Sequence, residues 1–319
     1  MSAPRISVIV PNYNHAAYLP RCLDALLFKQ TAPPFEVIVI DDASKDNSVS
    51  ILEDYARRSP ILRPIRNPQN LGVIATLNRG LELAIGDYVS FPAADDEVLP
   101  PFIEASLRML IAHPKAGACT GRTEWRCQST GLTWIHGTAM PDGARFFSPP
   151  ELVERAKAGR LELSGQNMIY RKDALVAAGR WIPELRWFAD AFGAWVVTFR
   201  DGVCWVPEVL SVYNLFPTSY HNAAQAETRR EVMRHLLLLL ESPGYADVAP
   251  PIREGGQLGG FGPMMLRLVL TQRRHHHLLT PAFARQMARR TSEIVGRRFF
   301  PQGLARLALR LFYGRKPRG

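Results

Sequence analysis

Short β-branched runs alternate with helix-period stretches through the first third of the chain. Ile6, Val8, Ile9 and Val10 form the first run, closed by Pro11, and read as a buried strand. Residues 16–29 then place Leu19, Leu23, Leu26 and Leu27 on one helical face. A second buried strand is predicted over 35–40. A helix starting at Asp46 carries Val49, Leu52 and Tyr55. Residues 61–65 predict a third strand despite Pro60 and Pro64, and residues 71–85 a helix stopped by Gly86 in the C-terminal position glycine favours. Residues 88–91 read as a strand, followed by the acidic turn Ala94-Asp95-Asp96-Glu97 and a helix over 101–113. A β-α-β-α order of this kind implies an α/β fold, with a mainly parallel sheet covered by helices on both faces.

Beyond residue 116 the pattern loosens. Strands mix with loops to about residue 212, with one clear helix near 190–199. After Asn214 the character changes: 222–241 and 282–298 read as helices, separated by a Gly/Pro-rich stretch over 243–263. This places a boundary near residue 215, between a nucleotide-binding α/β domain (1–215) and a helical, basic C-terminal extension (216–319). No internal repeat is read from the sequence.

The net charge of +10 suggests nucleic acid until it is located. Residues 285–319 hold ten of the 39 Lys/Arg residues and one of the 29 acids, so the first 284 carry 29 basic and 28 acidic groups. The body is balanced and the tail is basic. With few aromatics and no recognisable module in that tail, nucleic acid is not the expected partner. Cys22, Cys119, Cys127 and Cys204 are scattered, without CxxC or zinc spacing, and read as reduced structural thiols. His275-His276-His277 lies among basic residues and reads as solvated surface. No run approaches the ~20 apolar residues of a membrane span, and the first apolar run is too short for a signal peptide. The expected location is the cytoplasm.

In open α/β sheets, ligands bind beyond the carboxyl ends of the strands. Three polar clusters fall there: Pro11-Asn12-Tyr13-Asn14, Asp41-Asp42-Ala43-Ser44 and Ala94-Asp95-Asp96. The first turn lacks both the G-x-G-x-x-G of a dinucleotide site and the G-K-[ST] of a P-loop. A rim of carboxylates suits base and ribose hydroxyls instead, together with a hard divalent cation, Mg²⁺ or Mn²⁺, that neutralises a pyrophosphate. Such an ion acts as a Lewis acid on a leaving nucleoside diphosphate. Either acidic pair alone is as readily a turn or a helix N-cap, and Tyr13 alone is a packing residue. Three clusters at consecutive strand ends point to a site.

These stretches, 6–14 and 36–46, resemble the opening of family 2 glycosyltransferases. So do Asn70-Leu71-Gly72, residues 86–91 and Asp95-Asp96. The similarity covers roughly residues 5–215. It implies the GT-A fold and transfer of a single sugar, with inversion at the anomeric carbon, from a nucleotide-diphosphate-sugar donor, UDP-sugar foremost. By position it assigns nucleoside contact to Pro11, Tyr13 and Asp42, with Asn12 and Asn14 in the same cluster, and ribose and metal contact to Asp95 and Asp96. Many relatives read Asp-Ala-Asp-Asp where this chain has Ala93-Ala94-Asp95-Asp96, which leaves the division of work between the two acids open. An inverting transfer needs a carboxylate to take the proton of the attacking hydroxyl. The resemblance gives that role to Asp190; read alone, an aspartate at a helix start is an N-cap. Gly165 and Gln166 match a segment beside the acceptor, and Trp187 and Trp181 either stack on sugar faces or fill the core. The Q-x-x-R-W motif of processive synthases does not follow Asp190.

The resemblance implies a saccharide or lipid-linked acceptor and a place in cell-surface polysaccharide or glycolipid assembly. Two other readings stand beside it. A catalytically silent nucleotide-sugar binder is suggested by Ala93. A nucleotidyltransferase is opposed by residues 11–17, which contain neither glycine nor Lys/Arg. In the tail, Leu304, Leu307, Ala308, Leu311 and Phe312 share a helical face with Arg306 and Arg310 opposite. That pattern suits peripheral contact with the inner face of an anionic membrane, and nearly as well a helix packed on its own domain.

Overall fold

The computed structural model describes residues 4–165, 167–216 and 226–299, with side chains as far as Thr291. Strands and helices alternate first as β1 (Ile6–Asn12), α1 (Leu19–Leu27), β2 (Glu36–Asp41), α2 (Ser48–Arg58), β3 (Leu62–Arg66), α3 (Val73–Leu83) and β4 (Tyr88–Ser90). There follow β5 (Glu97–Val98), α4 (Phe102–Ala112), β6 (Ala118–Cys127), β7 (Thr133–His136), β8 (Arg145–Phe147) and α5 (Pro149–Lys157). Next come β9 (Ile169–Arg171), α6 (Lys172–Ala177), α7 (Ala189–Asp201) and β10 (Val203–Leu215). The described chain closes with α8 (Ala226–Glu241), α9 (Ala249–Glu254), α10 (Pro263–Thr271) and α11 (Pro281–Phe299).

All ten strands join one sheet in the order β3-β2-β1-β4-β9-β6-β10-β5, with β7 added on β6 and β8 on β10. β3, β2, β1 and β4 run parallel, as do β6 and β10. β9 is antiparallel to both its neighbours, β4 and β6. Period-2 alternation divides the interior in two. Ile38 and Ile40 of β2 pack with Leu77 and Leu81 of α3 and with Phe192 of α7. Val37 and Val39 pack with Leu23 and Leu26 of α1, Leu52 of α2 and Phe102 of α4. Helices therefore cover both faces, as the alternating pattern predicts. Leu236 of α8, Ile252 of α9 and Val269 of α10 join the first of these clusters.

Three local expectations are revised. Pro11 does not end β1, which continues to Asn12 in register with Asp41. β4 pairs with β1 only as far as Val8, so a residue without an N–H costs no ladder bond on that side. Gly86 does not cap α3: the helix ends at Leu83 and Ala84 is already extended. A Cβ on Gly86 would come within 2.7 Å of both the backbone N and the Oγ of Ser7, so glycine serves close approach to β1. His275 is buried, with Nε2 2.8 Å from Glu241 Oε1, because its turn packs on the end of α8; His276 and His277 are exposed. The four cysteines are free. Burial, reinforced by the charges of Asp96 and Asp95, pushes the Cys22 thiol up to about 12. Among the described residues no helix is long and apolar enough to cross a membrane.

Candidate active site

Parallel pairing brings the polar ends of β1 and β2 together. Asn12 Nδ2 donates to Asp41 Oδ1 (2.9 Å) and to Ser44 Oγ (3.2 Å). Ser44 Oγ also accepts the Asn14 N–H (2.9 Å), and Asn14 Oδ1 accepts the Lys45 N–H (2.8 Å). The two turns are stitched to each other. Asn14 (φ 56°) and Ala43 (φ 61°) hold left-handed backbone there, a conformation that costs free energy for a residue with a Cβ and persists where surrounding bonds enforce it. Tyr13 stands 40% exposed on this platform, beside exposed Asn14 and half-buried Pro11.

Asp42 is buried and already holds three N–H groups. Oδ1 accepts Asn67 Nδ2 (2.7 Å) and the Leu71 N–H (2.8 Å), and Oδ2 accepts the Gly72 N–H (2.9 Å). Asn67 also donates to Thr76 Oγ1 (3.0 Å). The carboxylate thus fixes the loop that opens α3, and Oδ2 keeps room for one further donor.

The acidic turn differs. Asp96 Oδ1 accepts the Asn214 N–H from β10 (2.8 Å), whereas Oδ2 is buried without a hydrogen-bond partner. The Asp95 carbonyl accepts Asn214 Nδ2 (2.7 Å) and the Arg21 guanidinium of α1 (2.9 Å), which hold the turn from two sides. Burial, then the charge of Asp95, pushes the Asp96 carboxyl well above the usual carboxylate range; the Asn214 N–H and Arg21 pull weakly the other way. A buried carboxylate with an orphaned oxygen beside a second acid is unfavourable alone, and a bound cation relieves it. The donor set fits a hard divalent ion that takes its other positions from phosphate and water. Asp95 is half-exposed, so an ion arriving from solvent meets it first. Among the described residues no three His, Cys, Asp or Glu side chains form a metal cage.

Asp190 lies in the first turn of α7, two residues beyond the N-cap Phe188, and its Oδ1 accepts the Ala191 N–H (2.7 Å). Asp190 is exposed, yet the protein around its carboxyl strips part of its hydration. The resulting loss of hydration raises its carboxyl above the ordinary value, against the pull of the Ala191 N–H. Oδ2 is 3.8 Å from the position a Cβ on Gly165 would take, so Gly165 keeps that side clear. Burial raises the Tyr213 phenol, and the charges of Asp96, Asp95 and Asp190 raise it further. The acidic turn and Asp190 therefore both lie within electrostatic reach of one tyrosine.

Trp187 is half-buried, with the Arg229 guanidinium 5.9 Å from its ring centroid. It follows Arg186, which holds φ 48°. Trp181 belongs to the core, packed edge-on to Phe91 and Tyr170. Gln166 lies outside the described residues, as do 303–313 of the tail. Asn67, Tyr213 and Asn214 were not singled out by sequence. The one available signal was Asn214 itself, a polar residue closing an apolar strand.

With the fold and this geometry in place, the comparisons with known proteins are direct. Residues 7–177 match the model of Glycosyl transferase family 2, and the chain belongs to that family. It is 37% identical to the uncharacterized glycosyltransferase YibD of Escherichia coli over 133 residues, 42% of this chain and 38% of that protein. It is 35% identical to the putative glycosyltransferase EpsH of Bacillus subtilis over 179 residues, 56% and 50% of the two chains. The chain thus spans half or less of the length of these relatives. In structure it is similar to TarS of S. aureus in complex with UDP-GlcNAc, with a TM-score of 0.62, 20% identity, and coverage of 79% of this chain and 71% of that one. It is also similar to the mannosyltransferase PcManGT of Pyrobaculum calidifontis in complex with GDP-Man and Mn²⁺, with a TM-score of 0.57, 19% identity, and coverage of 98% and 81%. The fold is GT-A.

Proposed function

We propose that the protein is an inverting glycosyltransferase that moves one sugar from a nucleotide-diphosphate-sugar to a hydroxyl of a saccharide or lipid-linked acceptor. The observation that carries this reading is the buried, unpartnered Oδ2 of Asp96 beside half-exposed Asp95, in a chain whose residues 7–177 match Glycosyl transferase family 2. Tyr13 and Asp42 would hold the nucleoside at the β1–β2 end of the sheet. A divalent cation held by Asp95 and Asp96 would offset the charge that develops on the departing pyrophosphate. Asp190 takes the proton of the acceptor hydroxyl as its oxygen attacks the anomeric carbon. The bond from that carbon to the phosphate oxygen breaks on the opposite side, and the nucleoside diphosphate leaves. A raised carboxyl pKa makes Asp190 a better base than an ordinary, fully hydrated aspartate. The Gly165 segment and Trp187 would border the acceptor. A UDP-sugar is the favoured donor, in keeping with the UDP-GlcNAc bound by the TarS neighbour.

The test is thermal unfolding with UDP-, GDP- and dTDP-sugars, with and without Mn²⁺. One nucleotide class should raise the melting temperature, more so with metal. A ligand at a hundredfold excess over Kd stabilises the folded state by about 2.7 kcal/mol. No shift with any donor at millimolar concentration, metal included, would reject the donor site.

A further inference from the structure

Residues 226–291 carry ten arginines and five acids. All five carboxylates are in ion pairs, Glu227 with both Arg230 and Arg234 of α8. Arg267 of α10 is exposed and has no ion pair or hydrogen bond among the described residues. A cavity of about 570 Å³ opens between α8 and α10, where Arg230, Arg234 and Arg267 join Pro263, Met264 and Leu268 in its lining. With Glu227 counted, three guanidinium groups face one carboxylate around this largely apolar groove.

We propose that this groove binds the phosphate of an anionic membrane phospholipid and so seats the C-terminal helices on a lipid surface. A guanidinium presents a planar fork of N–H donors that matches phosphate oxygens. Arginine stems also lie along apolar surface while the charged ends stay at the water boundary. The apolar lining gives the glycerol and proximal acyl carbons a surface that a free anion would not use. The apolar strip continues past the arginines. Leu238, one turn beyond Arg234, is 52% exposed, and Leu270, three residues beyond Arg267, is 54% exposed. Exposed leucines beside arginines on two helices that line one groove have the composition of an interfacial surface. The site uses neither the donor cleft nor residues 303–313, and it stands whether or not the proposed transfer is correct.

Vesicle flotation of the full chain tests it, with phosphatidylcholine alone and with phosphatidylcholine doped with phosphatidylglycerol. The chain should bind the anionic vesicles and not the neutral ones. Arg234→Ala with Arg267→Ala should lower the affinity roughly thirtyfold, about fivefold for each basic residue lost at an anionic surface. Met264→Asp should weaken binding without touching a positive charge. All three positions are partly or fully exposed, and an unchanged melting temperature would show that the variants fold. The proposal is overturned if the double variant binds as tightly as the native chain, which would assign binding to another surface, or if the native chain ignores anionic vesicles. It is equally overturned if inorganic phosphate raises the melting temperature of the native chain, the double variant loses that rise, and vesicle binding does not change; the groove would then be a free-anion site.

Discussion

The chain places an aspartate pair at the end of β2 and another after β4, and the two pairs have opposite surroundings. Asp41 and Asp42 are buried among N–H donors that occupy all four oxygens, from Asn12, Ser44, Asn67, Leu71 and Gly72. Asp95 and Asp96 receive far less: one side-chain oxygen of Asp96 has a single N–H and the other has none. Carboxylates supplied with N–H groups organise backbone. Carboxylates left short of them stay poised for charge from outside, whether a cation or a proton. Asp190 belongs to the second kind, with one N–H and an open side at Gly165.

The largest effect that contrast predicts is at Asp190. Asp190→Asn should cut turnover about a thousandfold, within the range a positioned base contributes, while the donor-induced rise in melting temperature persists. Unchanged turnover would remove Asp190 from the mechanism. The raised carboxyl gives a sign for pH. A base must be ionised, so the acidic limb of kcat/KM should lie above the ~3.9 of an ordinary aspartate, and the limb should vanish with the residual activity of the Asn variant.

A smaller loss is expected at Asp95. Asp95→Ala should lower turnover about a hundredfold, equivalent to roughly 3 kcal/mol of transition-state stabilisation, and should erase the Mn²⁺-dependent part of the donor shift. Asp42→Ala acts on folding instead. It strands two backbone N–H groups and the Asn67 amide, and should cost about 3 kcal/mol in urea unfolding.

The smallest effect has the opposite sign. The folded-state pKa of Asp96 is raised, so the stability it supports is complete below the unfolded pKa and is lost as pH rises through the folded one. Asp96→Asn removes that loss and should raise the metal-free melting temperature at neutral pH, with the gain shrinking on acidification. If Asp42→Ala and Asp96→Asn shift stability in the same direction at neutral pH, the distinction between the two pairs fails.

Much of this was legible from the chain because it is local. A β-branched run closed by polar residues marks a strand end, and the 6–14 and 36–46 stretches carry both signals within a dozen residues. What separates Asp95 from Asp96 is not local. Asp96 receives a backbone N–H from Asn214, 118 positions away, brought beside it by the antiparallel pairing of β10 with β5. Tyr213 reaches the site by the same route. Trp181 was open between sugar platform and core, since an aromatic ring reads alike in both until its neighbours, Phe91 and Tyr170, are known. His275 was misread for a related reason: a basic neighbourhood in sequence does not reveal that one ring of three turns inward onto Glu241.

The placement of β9 has a mechanical consequence. Within the sheet, β1–β4 reach β6 and β10 through this strand, by three residue pairs to β4 and two to β6, while the Asp95–Asp96 turn and β5 bond directly to β10. The ladder is therefore thin at β9, and the acidic turn acts as a strap across it. The loop bearing Gly165 leads directly into β9, so the glycine beside Asp190 sits next to the thinnest part of the ladder, and the strap from Asp95–Asp96 to Asn214 limits how far the two sides can part there.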